Sequence, residues 1–230
     1  MTESQPRPTL TPTFFLIGAL FVCALMISNI ICGKLFSLWG MVLTADLILF
    51  PLTYIFGDVL TEVYGFKRAR LVIWTGFLCN LLMALAFMAA LALPHPGFWK
   101  GQAAFATVLG STPRIVMASL AAYFVGELSN SIVLSRMKVA TGGRWLWART
   151  IGSTLVGEGF DTMVFMTIAF IGTMAPNILM QMIVFQYLWK VSYEVLATPL
   201  TYKLINWLKE KEQIDTYDHD ISYNPFSFNA

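Results

Sequence analysis

The apolar residues of the chain fall into six long runs that are separated by short polar segments. A run of about 20 apolar residues is the length at which an α-helix crosses the hydrocarbon core of a bilayer. The predicted spans are residues 14–31, 41–63, 71–93, 115–134, 151–171 and 178–208. No gap between them is long enough for a soluble domain. The pattern therefore predicts an all-α polytopic membrane protein with six transmembrane helices in one bundle.

The distribution of Lys and Arg predicts the orientation of this bundle, because basic residues are enriched in cytoplasmic loops. Eleven of the fifteen basic residues lie on the side that holds both ends of the chain, whereas Lys34, Lys100 and Arg114 lie on the other side. We therefore expect both termini to be cytoplasmic in a multi-pass protein of the inner cell membrane. The parts of the chain are then a cytoplasmic segment (1–13), the transmembrane domain (14–208) and a cytoplasmic tail (209–230).

The composition supports a membrane protein and argues against several other classes. Hydrophobic residues make up 57% of the chain and charged residues 12%, against about 45–50% and 25% in soluble domains. The formal net charge is +2, which gives no reason to expect a nucleic-acid partner. Cys23, Cys32 and Cys79 lack metal-ligand spacing. We expect no metal and no cofactor.

Seven of the thirteen acidic residues fall inside the predicted spans. They are Asp46, Asp58, Glu62, Glu127, Glu158, Asp161 and Glu194. An ionised side chain at the centre of a spanning helix costs roughly 2.5–3.5 kcal/mol on insertion scales. Such residues normally face a bundle interior or an aqueous cavity, so they predict a polar site in the core.

The buried polar residues recur at helical spacing, which places them on one face of each helix. The stripes are Tyr54, Asp58 and Glu62; Tyr123, Glu127 and Asn130; Thr154, Glu158, Asp161 and Phe165; and Gln186, Lys190 and Glu194, with Ser28 and Asn29 on the first span. We expect the stripes to converge on one chamber. Two of these acids also have simpler interpretations. Glu62 is near Lys67 and Arg68 and could be only a charge at the cytoplasmic end of its helix. Asp46, near the outer end, is either part of an outer vestibule or simply solvated.

Lys190 is the single basic residue in the interior of a predicted span, because Lys203 belongs to the cytoplasmic end of the sixth span. Its simplest partner is Glu194, one turn further along the same helix face. Glu158 and Asp161, across the bundle, are the alternative partners. Because one ammonium cannot balance seven carboxylates, several acids must be protonated, lie at wet helix ends, or meet a cationic or donor-rich ligand.

Glycine precedes an acid at Gly57-Asp58, Gly126-Glu127 and Gly157-Glu158. Glycine lets two helix backbones approach closely, or lets a helix break near a ligand. The second and fifth spans would correspond in a 3+3 inverted repeat, which is a common plan of transporters. Ordinary small-residue packing between helices is the alternative interpretation.

The two most specific segments are FPLTYIFGDVLTEVYG at residues 50–65, followed by Arg68 and Arg70, and STLVGEGFDT at residues 153–162. They resemble segments of the queuosine precursor transporter family, also called the vitamin uptake transporter family. Lys190 in the sixth span and the tail residues Tyr217-Asp218 and Asn224-Pro225-Phe226 are also similar to the family.

The resemblance implies a small six-helix uptake protein for 7-deazaguanine compounds, which are precursors of a modified tRNA base. The expected cargo is 7-cyano-7-deazaguanine or 7-aminomethyl-7-deazaguanine, with queuine as a further candidate. The resemblance also implies that Asp58, Ser153, Asp161 and Lys190 matter for function. Some related carriers resemble substrate-binding subunits of energy-coupling systems, so a homodimer, an energy-coupling partner and the energy source all stay open.

The chemistry of the buried residues agrees with a purine-like substrate. A guanine-like edge presents a ring N–H beside an amine, and one carboxylate can accept both. The expected substrate-binding residues are Asp58, Glu158, Asp161, Lys190, Glu194, Ser153, Asn29, Glu127, Asn130 and Tyr54. The candidates for stacking on the ring are Tyr54, Tyr123, Phe160, Phe165, Trp189 and Tyr193.

Other functions fit the sequence less well. An intramembrane aspartyl protease could pair Asp58 with Asp161, but the expected Gly-x-Gly-Asp pattern is missing, and so are a serine nucleophile motif and a zinc-type His pair. We therefore expect no enzyme. A substrate-binding subunit for another small heterocyclic vitamin or cation is the main alternative, and a channel or a structural subunit is a further one.

Overall fold

A computed structural model describes residues 11–38, 41–110, 113–172, 175–219 and 221–226 of the chain. Within these ranges seven α-helices account for most residues, and one short hairpin interrupts them. The elements are α1 (Pro12–Ile31), β1 (Leu35–Leu38), β2 (Met41–Thr44), a 3-10 helix (Ala45–Ile48), α2 (Phe50–Tyr64), α3 (Phe66–Ala92), α4 (Gln102–Leu109), α5 (Pro113–Ala140), α6 (Leu146–Phe170) and α7 (Pro176–Glu212).

The long helices coincide with the predicted apolar runs. Among the described residues, three helical segments are long and apolar enough to cross a membrane, namely Pro12–Ile31, Phe66–Ala92 and Val116–Ala140. Large apolar side chains on the outside of the bundle, such as Leu16 and Leu82, are exposed, as expected where a helix contacts lipid. The chain is therefore a predominantly helical membrane protein, as the sequence predicts.

The prediction of a continuous helix over residues 41–63 is wrong at its start. Strands β1 and β2 pair antiparallel, from Leu35 opposite Thr44 to Leu38 opposite Met41, and α2 begins only at Phe50. Pro51 explains this start, because proline lacks an N–H and is tolerated in the first turn of a helix but not in its interior.

The connection between α2 and α3 is a single residue. Gly65 adopts φ 84°, a backbone angle that glycine reaches without a steric penalty. A Cβ at this position would lie 2.7 Å from the side chain of Thr216. This tight turn brings α3 to Phe66 and leaves room for the C-terminal residues to pack against it.

Glycines let α2, α5 and α6 approach closely in the centre of the bundle. A Cβ at Gly126 would lie 2.7 Å from the Cβ of Asp161, and a Cβ at Gly157 would lie 2.7 Å from the Cβ of Asn130. A Cβ at Gly57 would collide with the carboxylate of Glu127. Each glycine of the Gly-acid pairs therefore makes room for a polar residue of a neighbouring helix.

The bundle has two distinguishable ends. The hairpin end holds β1, β2 and the start of α2. The tail end holds the start of α1, where Phe14 contacts Tyr64 with ring centroids 5.0 Å apart. We call residues 213–226, which follow α7, the tail.

Candidate functional site

Lys190 on α7 forms the centre of a buried group of charged side chains. Its Nζ lies 2.7 Å from Asp161 Oδ2, to which it donates a hydrogen bond, and 2.8 Å from Glu158 Oε2, an ion pair without hydrogen-bond alignment. Asp161 and Glu158 share one face of α6 because they are three residues apart. We call these three residues the lysine site. The simplest predicted partner, Glu194, is wrong, and the alternative partners across the bundle are correct.

The ring of Phe50 covers the same ammonium. Lys190 Nζ lies 4.1 Å from the centroid of this ring, well within the distance at which a cation is attracted to an aromatic face. The sequence does not reveal this contact, because Phe50 reads as an ordinary apolar residue at the start of α2.

Three more acids lie beside the lysine site, and we call Asp58, Glu127 and Glu194 the acid cluster. Asn130 Nδ2 donates to Asp58 Oδ1 at 2.7 Å. Among the described residues, no hydrogen-bond partner reaches Asp58 Oδ2, Glu127 Oε1 or either carboxylate oxygen of Glu194. All three acids are at most 2% exposed. The lysine site and the acid cluster thus contain five buried carboxyl groups and one ammonium, so the five cannot all be ionised.

A cavity of about 40 Å³ lies between the lysine site and the hairpin end. Lys190, Asn29, Asp46, Tyr123 and Phe165 are among the residues that line it. Pockets that hold drug-sized ligands measure roughly 300–1,000 Å³. A fused bicyclic ligand therefore enters this cavity only if the surrounding helices move apart. Asp46 lines the cavity, which favours the vestibule interpretation over a solvated charge.

Asn29 is fixed at the edge of this cavity by hydrogen bonds to two neighbouring helices. Ser119 Oγ donates to Asn29 Oδ1 at 2.6 Å, and Asn29 Nδ2 donates to Asn80 Oδ1 at 2.8 Å. The amide is thus oriented by α3 and α5 beside the cavity. Asn80 is a polar contributor that the predicted stripes did not include.

Two further predicted residues, Ser153 and Tyr54, are buried in the bundle interior. The Ser153 hydroxyl donates a hydrogen bond to the carbonyl oxygen of Thr150 at 3.0 Å. Its proton is therefore used within its own helix. Tyr54 is buried where α5 meets α6, beside Gly126. The expectation that Phe160 could stack on a ligand is wrong, because its side chain is 49% exposed on the outer surface.

A second polar region lies at the tail end, and the sequence analysis did not predict it. The Glu62 carboxylate accepts hydrogen bonds from Arg149 at 2.7 Å and from Lys209 at 2.8 Å, and Lys138 Nζ lies 3.6 Å away and donates to the carbonyl oxygen of Glu62. Asp215 accepts from Lys138 at 2.5 Å and lies 2.9 Å from Lys209. We call these five residues the ion-pair network. Glu62 is fully buried, so it is not a simple charge at a helix end.

The charges of this network shift the pKa of its outer members. Partial burial raises the pKa of the Asp215 carboxyl, but hydrogen bonds from Lys138 and Lys209 outweigh it and hold the pKa below its ordinary value. Burial lowers the pKa of Lys209, but the Glu62 carboxylate outweighs it and raises the pKa overall. Both shifts favour the charged forms of this region.

The tail packs across the same end of the bundle. Asp218 Oδ2 accepts from the backbone N–H of Phe66 at 2.8 Å and from Ser135 Oγ at 2.6 Å. Arg70 donates to the carbonyl oxygen of Asn224 at 2.7 Å, and Trp74 Nε1 donates to that of Pro225 at 2.9 Å. The tail residues that resemble the family therefore bind the tail to α3 and α5.

Comparison with known proteins assigns this helical bundle with its buried lysine–carboxylate site to the class of membrane transporters, not enzymes. Residues 44–204 match the family described as "Putative vitamin uptake transporter", and the chain belongs to this family.

Two curated proteins are similar to the chain over much of its length. The "Probable queuosine precursor transporter" of Bacillus subtilis (strain 168) is 29% identical over 190 residues, which cover 82% of this chain and 81% of that protein. The "Queuosine precursor transporter" of Escherichia coli (strain K12) is 29% identical over 143 residues, or 62% of each chain. No solved structure matches the chain significantly.

Proposed function

We propose that this protein imports queuosine precursors, either 7-cyano-7-deazaguanine or 7-aminomethyl-7-deazaguanine or both, with queuine as a further candidate. Two relatives named for queuosine precursor transport support this cargo. The observation that carries the proposal is the buried position of Lys190 between Asp161 and Glu158. This site offers carboxylate acceptors and one cationic donor within a few ångströms, which matches the donor and acceptor edge of a deazaguanine.

We assign the recognition to the lysine site. The carboxylate of Asp161 or Glu158 accepts the ring N–H and the exocyclic amine, and the Lys190 ammonium donates to the ring carbonyl oxygen. Tyr123 and Phe165 line the cavity and supply flat faces for stacking. An aminomethyl group would add a cation that offsets the excess of acids, whereas a cyano group would not.

The proposed topology has six helices across the membrane, α1, α2, α3, α5, α6 and α7, with both ends of the chain in the cytoplasm. The excess of basic residues at the tail end supports this orientation, since Arg70, Lys138, Arg149 and Lys209 all lie there. The division at residues 13 and 208 stays a prediction, and most of the first segment lies outside the described residues. The 3+3 inverted repeat also stays a prediction.

The position of the cavity supports entry of the substrate from the hairpin end. The cavity reaches Asn29 and Asp46 at that end, whereas the ion-pair network and the tail cover the opposite end. Transport then requires the network and the tail to separate from the bundle when the substrate leaves towards the cytoplasm. A homodimer or an energy-coupling partner stays a prediction.

Binding to the purified full-length protein tests the proposal. Calorimetric titration with 7-cyano- and 7-aminomethyl-7-deazaguanine should give saturable binding, with guanine as the reference ligand. Asp161→Asn should weaken binding by about ten- to a hundredfold, because hydrogen bonds to a charged group contribute roughly 1.5–3 kcal/mol. Glu210→Gln, an exposed substitution on α7, is the control and should bind normally.

Two results would contradict the proposal at different levels. If no deazapurine binds, the cargo is wrong, and another small heterocyclic vitamin or a cation becomes the better candidate. If deazapurines bind but Asp161→Asn and Glu158→Gln both leave the affinity unchanged, the cargo stands and the assignment to the lysine site is wrong.

A further inference from the structure

Glu194 is a buried acid for which the recognition chemistry above has no use. It lies one turn from Lys190 on the same face of α7, yet Lys190 reaches across to α6 instead. Glu194 is 2% exposed, and neither of its carboxylate oxygens has a hydrogen-bond partner among the described residues. An acid so placed has to be neutral or bound to a cation.

The charged neighbours of Glu194 favour a bound proton. The helices around it contribute Asp58 from α2 and Glu158 from α6, both of them acids, and Asn130 is already hydrogen-bonded to Asp58. Among the described residues, no group of three or more acid, His or Cys side chains is arranged to hold a metal ion. A proton needs only one of the two free oxygens of Glu194.

Substrate at the lysine site would compete with Lys190 for its partners. The donor edge of a deazaguanine needs both oxygens of the carboxylate that accepts it, Asp161 or Glu158, and the ammonium now contacts one oxygen of each. A displaced ammonium cannot stay unpaired in the bundle interior. Glu194, four residues further along the same helix, is the carboxyl group within its reach on α7.

The local structure of α7 allows such a movement. Pro199 lies within α7, five residues after Glu194, and a proline in a helix interior removes a backbone hydrogen bond and permits a bend. Thr198 Oγ1 donates to the carbonyl oxygen of Glu194 at 2.8 Å, which gives this carbonyl a hydrogen-bond partner close to Pro199. The segment that carries Lys190 and Glu194 can therefore change its angle to the rest of α7, because the backbone hydrogen bond that would oppose a bend is missing at Pro199.

We propose that Glu194 is a proton-binding residue, and that substrate releases this proton by shifting Lys190 from Asp161 and Glu158 to Glu194. In this step the O–H bond of Glu194 breaks and the proton passes to water. A Lys190–Glu194 ion pair replaces the two ion pairs of the lysine site. The inference rests on the proposed function. It makes substrate and proton competing ligands of the bundle interior.

The linkage has a definite sign. Because binding releases a proton, the affinity for substrate rises with pH over the range in which free Glu194 is protonated, by up to about tenfold per pH unit.

The test is a titration of the full-length protein with 7-cyano-7-deazaguanine, which is neutral and brings no proton of its own. It is run at one pH in phosphate and in Tris, whose ionisation enthalpies differ, so that the heat difference counts the protons released.

The expected result is the release of close to one proton per substrate bound by the unmodified protein. Glu194→Gln should bind without releasing a proton, because the amide has none to give. Glu210→Gln, the same substitution at an exposed position of the same helix, should release the proton as before. A pH series on the unmodified protein tests the same linkage without any variant, in case Glu194→Gln fails to fold.

Three other outcomes would contradict the proposed function, the release of a proton, or the assignment to Glu194. If no binding occurs, the proposed function itself fails. If the unmodified protein binds without releasing a proton, the proposed function stands and this inference is wrong. If Glu194→Gln still releases a proton while Asp58→Asn does not, the proton belongs to Asp58, and the assignment to Glu194 is overturned.

Discussion

Two buried polar regions of the protein differ in their balance of charge. The ion-pair network at the tail end joins two carboxylates to three cations, and each carboxylate contacts at least two of them. The lysine site and the acid cluster in the centre contain five carboxyl groups and one ammonium, and several oxygens there have no partner among the described residues. A network in which every charged group has a partner stabilises one arrangement of helices, whereas a network with unpartnered oxygens leaves those groups available to a ligand.

The difference suggests how the two regions divide the work of transport. The network joins α2, α5, α6, α7 and the tail, so it can hold the tail end closed while the centre exchanges partners. Opening that end separates Glu62 from Arg149 and Lys138, which are almost completely buried. The network should therefore contribute strongly to stability, and the centre should contribute little.

The largest effect is expected from Glu62→Gln. The substitution leaves Arg149 and Lys138 buried with one carboxylate fewer, and breaking a buried pair costs about 3–5 kcal/mol. Thermal unfolding of the purified protein should show a large drop in Tm. The double variant Glu62→Gln with Arg149→Gln should recover part of the loss, because it also removes the unpaired guanidinium.

The same measurement on Asp161→Asn sharpens the comparison. Lys190 keeps Glu158 as a partner in this variant, and the centre loses one of its excess acids, so the Tm should change little. A drop as large as that of Glu62→Gln would mean that the centre is a structural ion pair, and the contrast between the two regions would be lost.

A middle-sized effect is expected where α5 meets α6. A Cβ at Gly157 would lie 2.7 Å from the Cβ of Asn130, whereas a Cβ at Gly159 would meet Tyr187 at an ordinary 3.7 Å. Gly157→Ala should therefore lower stability by about 1–3 kcal/mol, the usual cost of overpacking, and weaken substrate binding by displacing Asn130 from Asp58. Gly159→Ala is the matched control. Equal behaviour of the two variants in thermal unfolding would show that this close approach does not support the site.

The parts of this arrangement that follow a local period were predictable from the sequence. Helical spacing alone placed Asp58, Glu158, Asp161 and Lys190 on inward faces, because residues three and four apart share a helix face. The partner of Lys190 was not predictable, since the distance across the bundle depends on how closely the helices pack. The same spacing favoured Glu194, which is near in sequence but not the partner chosen.

The ion-pair network was missed for a different reason. Lys138 and Arg149 fall between the predicted spans 115–134 and 151–171, but α5 continues to Ala140 and α6 begins at Leu146. Basic residues in these extended turns point back towards Glu62. The hairpin was also missed, because an apolar run of a few residues has no period that distinguishes a strand from a helix.

The smallest expected effect is a pH dependence at the outer edge of the network. The pKa of Asp215 is lower in the folded protein than its ordinary value, so its contribution to stability is present above about pH 4 and is lost as the pH falls below that value. Since the side chain is 41% exposed, the contribution should be below about 1 kcal/mol. Asp215→Asn should make the tail less sensitive to acid, as measured by proteolysis of the tail between pH 5 and pH 3. If the tail of the unmodified protein and that of Asp215→Asn loosen alike, Asp215 does not help to hold the tail end closed, and the other contacts of this end hold it.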